Sequence, residues 1–242
     1  MDNASDIIKN NTQLTIESLQ EMYKDINLEK NKSFYKMIAK YYSAISIIIL
    51  NLKKFEKNDD KVILLDNILL NFCSLIHCVV LKDIKLINFI FRNILESVIR
   101  YITEDITTRN VESLFKILTS CSPDTYSGAH LVQKYSGQLK NIYTKNCLYV
   151  HTATSKIPSN LVNLFDYRNN SNDDEMLDLM NDFNILNIAV ITLFKVLEKN
   201  LYLSIPMNAK IYIDEITPLA SRIEYQSFLH DCDERNRIAR TY

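Results

Sequence analysis

Glycine and proline are scarce in this sequence, with only 2 Gly and 4 Pro among 242 residues. Glycine-rich phosphate loops and tight hairpins depend on glycine, because it enters the left-handed backbone region without strain. The sequence contains neither a GxGxxG motif nor a Walker loop. It also lacks His-Glu-x-x-His, paired CxxC and Gly-x-Ser-x-Gly motifs, which argues against zinc-hydrolase and esterase chemistry. We expect no cofactor and no bound metal.

An excess of charge of one sign is missing too, since 28 basic residues face 29 acidic ones and the formal net charge is −1. No overall field attracts nucleic acid or an anionic membrane, so any RNA contact must be local. The 5 cysteines lack metal-ligand spacing, which predicts reduced, buried thiols in a cytoplasmic protein. The polar N-terminus and the short or interrupted apolar stretches 45–52 and 62–81 predict no secretory signal and no membrane anchor.

Apolar residues make up 47% of the chain, and they recur at three- to four-residue spacing through most of it, which predicts an all-α protein. The run Val62 to Leu81 is apolar on nearly all sides, which is typical of a central helix. Ile211 to Ile213, between two prolines, is the one predicted strand. The predicted loops are 121–128 and 155–172. The predicted helices are 12–27, 33–55, 62–81, 84–103, 111–118, 129–151, 173–201 and 219–239.

These segments predict a mainly antiparallel bundle of about six to nine helices. We expect a single domain over residues 1–242, because a chain of this length can bury one large core. The core is expected over about 33–203 and a C-terminal extension over about 204–242.

Three charged residues interrupt the apolar pattern of one helix. Arg92, Glu96 and Arg100 lie at i, i+4 and i+8, so they share one line along it. The structural interpretation is a salt bridge, and the functional one is a pair that orders a site. A separate group of acidic residues lies at a predicted helix N-terminus, where carboxylates are favourable, although clustered carboxylates also hold Mg²⁺ in nucleases. This group is Asp173, Asp174, Glu175 and Asp178.

His151 follows a helical stretch and precedes the predicted loop. An imidazole titrates near about pH 6.5, so it can accept a proton from a ribose 2′-hydroxyl or donate one to a leaving oxygen. Lys145 could stabilise phosphate charge, and Asn146 could orient the ring or the phosphate. The competing interpretation is a structural histidine at a helix end.

Two of these features resemble a known family. Residues 91–96 read Phe-Arg-Asn-Ile-Leu-Glu, and residues 143–152 read Tyr-Thr-Lys-Asn-Cys-Leu-Tyr-Val-His-Thr. They resemble the Arg-x-x-x-Glu helix and the Tyr-x-x-x-Ser-x-x-x-His helix end of HEPN-like helical-bundle proteins. These proteins occur in bacterial abortive-infection and toxin-antitoxin systems, and the likeness spans residues 81–153.

The resemblance implies an HEPN-like core with extra terminal helices and a metal-independent endoribonuclease site assembled across a homodimer. His151 takes the family's histidine position, Lys145 its arginine position and Asn146 that of the polar follower, while Arg92, Glu96 and Tyr143 support the site. Lysine lacks the planar fork of arginine. Cysteine also stands at position 147 instead of serine. Both departures leave a non-catalytic version of the fold open.

Two functions are therefore expected. The first is an HEPN-like ribonuclease or RNA-binding effector in a bacterial or phage defence or toxin module, with RNA and a second copy of the chain as partners. The alternative is a non-enzymatic helical adaptor or oligomerisation protein that binds a protein partner. Neither involves a membrane.

Overall fold

The computed structural model describes residues 4–24, 26–107, 110–151 and 173–239, without the side chains of 4–9, 149–151 and 237–239. The described ranges contain ten α-helices and no strand, which confirms the predicted all-α fold. The helices are α1 (Ala4–Met22), α2 (Lys32–Phe55), α3 (Asp59–Leu81), α4 (Ile84–Thr103), α5 (Val111–Ser120), α6 (Tyr126–His151), α7 (Asp173–Leu197), α8 (Lys199–Leu203), α9 (Met207–Ile216) and α10 (Leu219–Ala239), with a 3-10 turn at Glu29–Asn31.

Side-chain caps fix the short connection between α2 and α3. The Asn58 side chain accepts hydrogen bonds from the backbone N–H groups of Asp60 and Lys61, at 2.9 and 3.3 Å. Because this cap satisfies N–H groups that have no partner within the helix, α3 begins three residues before the predicted Val62.

The turn between α3 and α4 is only two residues long, so the two helices pack side by side. Lys82 ends α3 in the left-handed region at φ 53°, and its N–H donates to the carbonyls of Cys78 and Val79. Asp83 then caps α4 by accepting from the N–H of Leu86. A lysine therefore fills the C-terminal position that helices more often give to glycine.

The centre of the bundle is α7, and the expectation that α3 would be central is wrong. α7 packs against α2, α4, α6, α8 and α10, and its Phe183 is completely buried. The Phe183 ring contacts four aromatic rings, those of Phe34, Tyr41, Phe72 and Phe91, with centroids 5.6–6.0 Å away. α3 packs mainly on α2 and α4 and leaves Ile63 and Leu70 more than half exposed.

The strand prediction for Ile211 to Ile213 is also wrong, because these residues lie inside α9. Tyr212 and Ile213 are buried where α9 packs on α1 and α2, whereas Ile211 is 45% exposed. A short apolar run does not distinguish a strand from a buried helix, and here packing selects the helix. The additional helices α8 and α9 bring the number of described helices above the predicted range.

The C-terminal helices join the same hydrophobic core as the rest of the bundle, through Tyr212, Ile213, Tyr225 and Phe228. Polar contacts also fasten them. Lys195 of α7 is an ion-pair partner of Asp214 in α9, with Nζ and Oδ1 separated by 2.6 Å. The predicted extension is therefore fixed to the central helix by both apolar and ionic contacts.

Two helices, α3 and α7, are long and apolar enough to cross a membrane by length and composition alone, with mean hydropathies of 1.9 and 1.3. In the apolar stretch that meets these criteria, 39% is buried inside the protein in α3 and 56% in α7. Core helices of soluble proteins meet the same criteria, so this is weak evidence for a membrane. The expected cytoplasmic location stays a prediction.

Candidate functional site

Arg92, Glu96, Tyr143 and Cys147 come together where α4 packs on α6, and we call them the α4–α6 cluster. Arg92 Nε donates to Glu96 Oε1 at 2.8 Å, and the Tyr143 hydroxyl donates to the same oxygen at 3.0 Å. The guanidinium lies over the Tyr143 ring, 5.6 Å from its centroid. The predicted salt bridge is therefore present, and it is extended by a phenol from the neighbouring helix.

The cluster is half-buried, with the Arg92 and Glu96 side chains 25% and 23% exposed. Burial raises the pKa of Tyr143, and a hydrogen bond with the Cys147 thiol and the Glu96 charge raise it further. Burial lowers the pKa of Arg92, but the hydrogen bond and charge of Glu96 outweigh it and leave this pKa raised. The cluster thus holds a permanent cation and a protonated phenol, both of which donate to the Glu96 carboxylate.

Lys145 does not join this cluster. It is two residues after Tyr143, which places it about 200° further around the helix. Its Nζ pairs with Asp182 Oδ2 of α7 at 2.6 Å, and the Lys145 and Asp182 side chains are 38% and 15% exposed. The structure thus brings Arg92, Glu96 and Tyr143 together and places Lys145 on a different face of α6.

Asn146 is completely buried. Within the described part of the chain, neither its side-chain oxygen nor its nitrogen has a hydrogen-bond partner. A buried amide without partners costs about 1–3 kcal/mol in desolvation, so polar residues at such positions are unusual. The predicted positioning residue is therefore in the interior, not on a surface that RNA can reach.

His151 is the last residue of α6. It follows Cys147 by four residues, one helical turn beyond the α4–α6 cluster. Its side chain lies outside the described residues, and so does the predicted loop at 155–172. The predicted general acid/base is thus located by its backbone alone.

Other predicted features have structural explanations. His77 of α3 has a hydrogen-bond partner, because its Nδ1 lies 2.7 Å from the Tyr23 hydroxyl. Arg100 donates to the backbone carbonyls of residues 105 and 106. The expectation of buried thiols is wrong for Cys73 of α3 and for Cys121, which follows the end of α5, because both are exposed.

Asp173 lies at the N-terminus of α7, as the structural interpretation predicted, and forms an ion pair with Lys30 at 2.7 Å. The hydrogen bond from Lys30 lowers the pKa of this exposed carboxyl. Among the described residues, no group of three or more His, Cys, Asp or Glu lies close enough together to hold a metal ion.

Sequence reasoning missed Asp182 and the ion pair between the buried Lys195 and the partly exposed Asp214. A signal for both existed, since Asp182 and Lys195 interrupt the apolar pattern of α7 in the same way that Arg92 interrupts α4. A charge inside an apolar helix requires a partner from a neighbouring element, and the sequence alone does not name that partner.

Known proteins give no match: no family model, no curated protein and no solved structure matches this chain. The likeness to HEPN-like proteins therefore depends on the residues of the α4–α6 cluster and on His151.

Proposed function

We propose that the chain is an HEPN-like effector that binds RNA at the α4–α6 cluster and cleaves it with His151. One observation supports this proposal above all others. The two separate segments that resemble the family, 91–96 and 143–152, are joined by the hydrogen bond from the Tyr143 hydroxyl to Glu96, which also accepts from Arg92 of its own helix. Forty-seven residues separate Tyr143 from Glu96 in sequence, so helix periodicity alone does not produce this contact.

In the proposed reaction, His151 accepts the proton of a ribose 2′-hydroxyl, whose oxygen then attacks the adjacent phosphorus. A bond forms between the 2′-oxygen and phosphorus as the bond to the 5′-oxygen breaks, and the departing 5′-oxygen takes a proton from water or from the protonated His151. Arg92 stabilises the charge that develops on the phosphate, and Glu96 fixes the guanidinium in place. Because the 2′-oxygen is the nucleophile, cleavage leaves a cyclic phosphate. Since no step requires a metal ion, the reaction proceeds in the presence of a chelator.

This assignment gives the role of phosphate cation to Arg92. Lys145 is engaged by Asp182, and Asn146 is buried. Neither therefore contacts RNA in the proposal. Arginine offers the planar fork that suits a phosphate, which lysine at the family's arginine position does not supply.

Labelled RNA and DNA oligonucleotides of equal sequence, incubated with the purified protein in EDTA, test the proposal. We expect cleavage of RNA only, since DNA lacks the attacking hydroxyl. His151→Ala should lower the rate by at least about 100-fold, in line with the usual contribution of a general acid/base. Arg92→Gln should weaken RNA binding as well as cleavage.

His130→Ala is the matched control, because His130 is exposed on the same helix and lies outside the cluster. If the wild-type protein binds RNA without cleaving it, and Arg92→Gln weakens this binding, the protein is an RNA-binding effector and not a ribonuclease. Wild-type protein that neither binds nor cleaves RNA would reject both versions.

The oligomerisation alternative is favoured by a different observation. Met207 and Ile211 lie one turn apart on α9 and are 70% and 45% exposed, and Leu203 just before them is 45% exposed. Clustered exposed apolar side chains often mark interaction surfaces. Light scattering should then show a dimer that Met207→Ser with Ile211→Ser converts to a monomer; an unchanged molar mass would exclude this face.

A further inference from the structure

A cleft of about 780 Å³ opens between α1, α2, α7 and α9, away from the α4–α6 cluster. Its volume lies within the range of about 300–1,000 Å³ that is usual for small-molecule sites. Thr12, Lys36, Met37, Lys40, Tyr41 and Glu215 are among its lining residues. None of them belongs to the site described above, so the cleft is a separate feature.

Two lysines on one wall give the cleft a local positive charge. Lys36 and Lys40 are exposed and one turn apart on α2, so their side chains are neighbours. Within the described part of the chain, neither has a carboxylate partner, whereas Lys53 on the same helix pairs with Asp66. Like charges at this spacing destabilise a helix, and a bound anion relieves that repulsion.

The floor of the cleft is preformed. Tyr41 is 5% exposed, and its hydroxyl donates to Asn184 Oδ1 of α7 at 2.5 Å. Thr12 is 7% exposed, and its hydroxyl has no hydrogen-bond partner among the described residues. Buried hydroxyls normally have a partner, so this one leaves a polar group unsatisfied in the wall.

The opposite wall carries Glu215 of α9, which is exposed and has no cationic partner within the described ranges. A ligand that fits both walls needs an anionic group at one end and hydrogen-bond donors at the other. Lysine ammonium groups bind phosphate as point charges, and a carboxylate accepts from hydroxyl or amino groups.

We propose that this cleft binds a phosphorylated small molecule, with its phosphate on Lys36 and Lys40 and its hydroxyl or amino groups facing Glu215. Met37 and Tyr41 supply the apolar surface between the two ends. The proposal is independent of the RNA site, because the two share no residue.

Titration calorimetry at low salt tests the proposal with ribose 5-phosphate, AMP, inorganic phosphate and citrate as probes. We expect saturable binding of ribose 5-phosphate or AMP that weakens as salt is added. Lys36→Gln with Lys40→Gln should weaken it by about tenfold or more, since the double variant removes both charge-assisted contacts to the phosphate. Citrate should bind more weakly than the phosphorylated probes.

Lys116→Gln with Lys140→Gln is the matched control, because it removes the same charge from exposed lysines of α5 and α6. Binding should be unchanged in this control. Equal loss in both double variants, or no saturable binding of ribose 5-phosphate or AMP, would overturn the proposal. Inorganic phosphate or citrate that binds as tightly as the organic phosphates would overturn the ligand class, since the cleft would then be a simple anion site.

Discussion

Replacement of Asp214 by asparagine should destabilise the protein more than replacement of its partner, Lys195. The Lys195 side chain is only 2% exposed, whereas that of Asp214 is 40% exposed. Asp214→Asn leaves a buried ammonium without its counter-charge, and breaking buried pairs in this way costs about 3–5 kcal/mol. The expected cost here is about 3 kcal/mol, since the rings of Tyr202 and Tyr225, 5.1 and 5.3 Å from the ammonium, still stabilise it.

Lys195→Met should cost only about 1 kcal/mol, because the exposed Asp214 carboxylate regains water and methionine fills most of the buried volume. The double variant should resemble Lys195→Met. Urea unfolding followed by circular dichroism gives the free energies of unfolding for all four proteins.

The pH dependence gives a second readout. Burial lowers the pKa of Lys195, and the nearby Arg222 lowers it further, while the hydrogen bond and charge of Asp214 act in the opposite direction. Because the folded state releases this proton more easily than the unfolded state, stability rises with pH between the lowered pKa and the ordinary value of 10.5. Asp214→Asn removes the contribution that raises the pKa of Lys195, so this pKa falls further below 10.5. The stability of the variant should therefore rise with pH over a wider range than that of the wild type.

An equal loss of stability in Asp214→Asn and Lys195→Met would refute this reasoning, because it would mean that neither charge is effectively buried. So would a stability of Asp214→Asn that stays constant as the pH approaches 10.5.

Three further substitutions test the aromatic core, the left-handed residue after α3 and the buried amide of α6. Phe183→Ala should lower the free energy of unfolding by about 4 kcal/mol, as measured in urea, because it empties the middle of the aromatic core; a loss near 1 kcal/mol would indicate a site that collapses easily. Lys82→Gly should raise the melting temperature, since it relieves about 1 kcal/mol of left-handed strain; a lower value would show that the lysine side chain contributes more. Asn146→Leu should raise the unfolding free energy by about 1 kcal/mol, because it removes an unsatisfied amide; destabilisation would reveal a partner for that amide.

Most helix positions were predictable because apolar spacing repeats over many turns, and α10 begins and ends where that spacing indicated. The prediction was wrong for α1, which lies at Ala4–Met22 and not at 12–27, and for α9. The position of a helix within the bundle was not. α3 and α7 are both highly apolar, but α7 packs against five helices and α3 mainly against two. Since the sequence is rich in isoleucine and leucine, an apolar face such as that of Ile63 and Leu70 does not require a covering element.

The candidate site was predictable in part for a similar reason. The spacing of Arg92 and Glu96 on one helix defines their contact, but the bond from Tyr143 depends on how α6 packs on α4. The partner of Lys145 was not predictable, because no local pattern connects it to an acid 37 residues away. Ion pairs between distant elements follow from tertiary packing, which only the structure supplies.

Three consecutive residues of α7 reach three different parts of the molecule. Asp182 holds Lys145 of α6, Phe183 fills the aromatic core, and Asn184 accepts from Tyr41 at the floor of the cleft. Because the three residues belong to one helix, a rotation of α7 about its axis displaces all three contacts together. A ligand that moves the cleft floor and rotates α7 would therefore also shift the contact with α6.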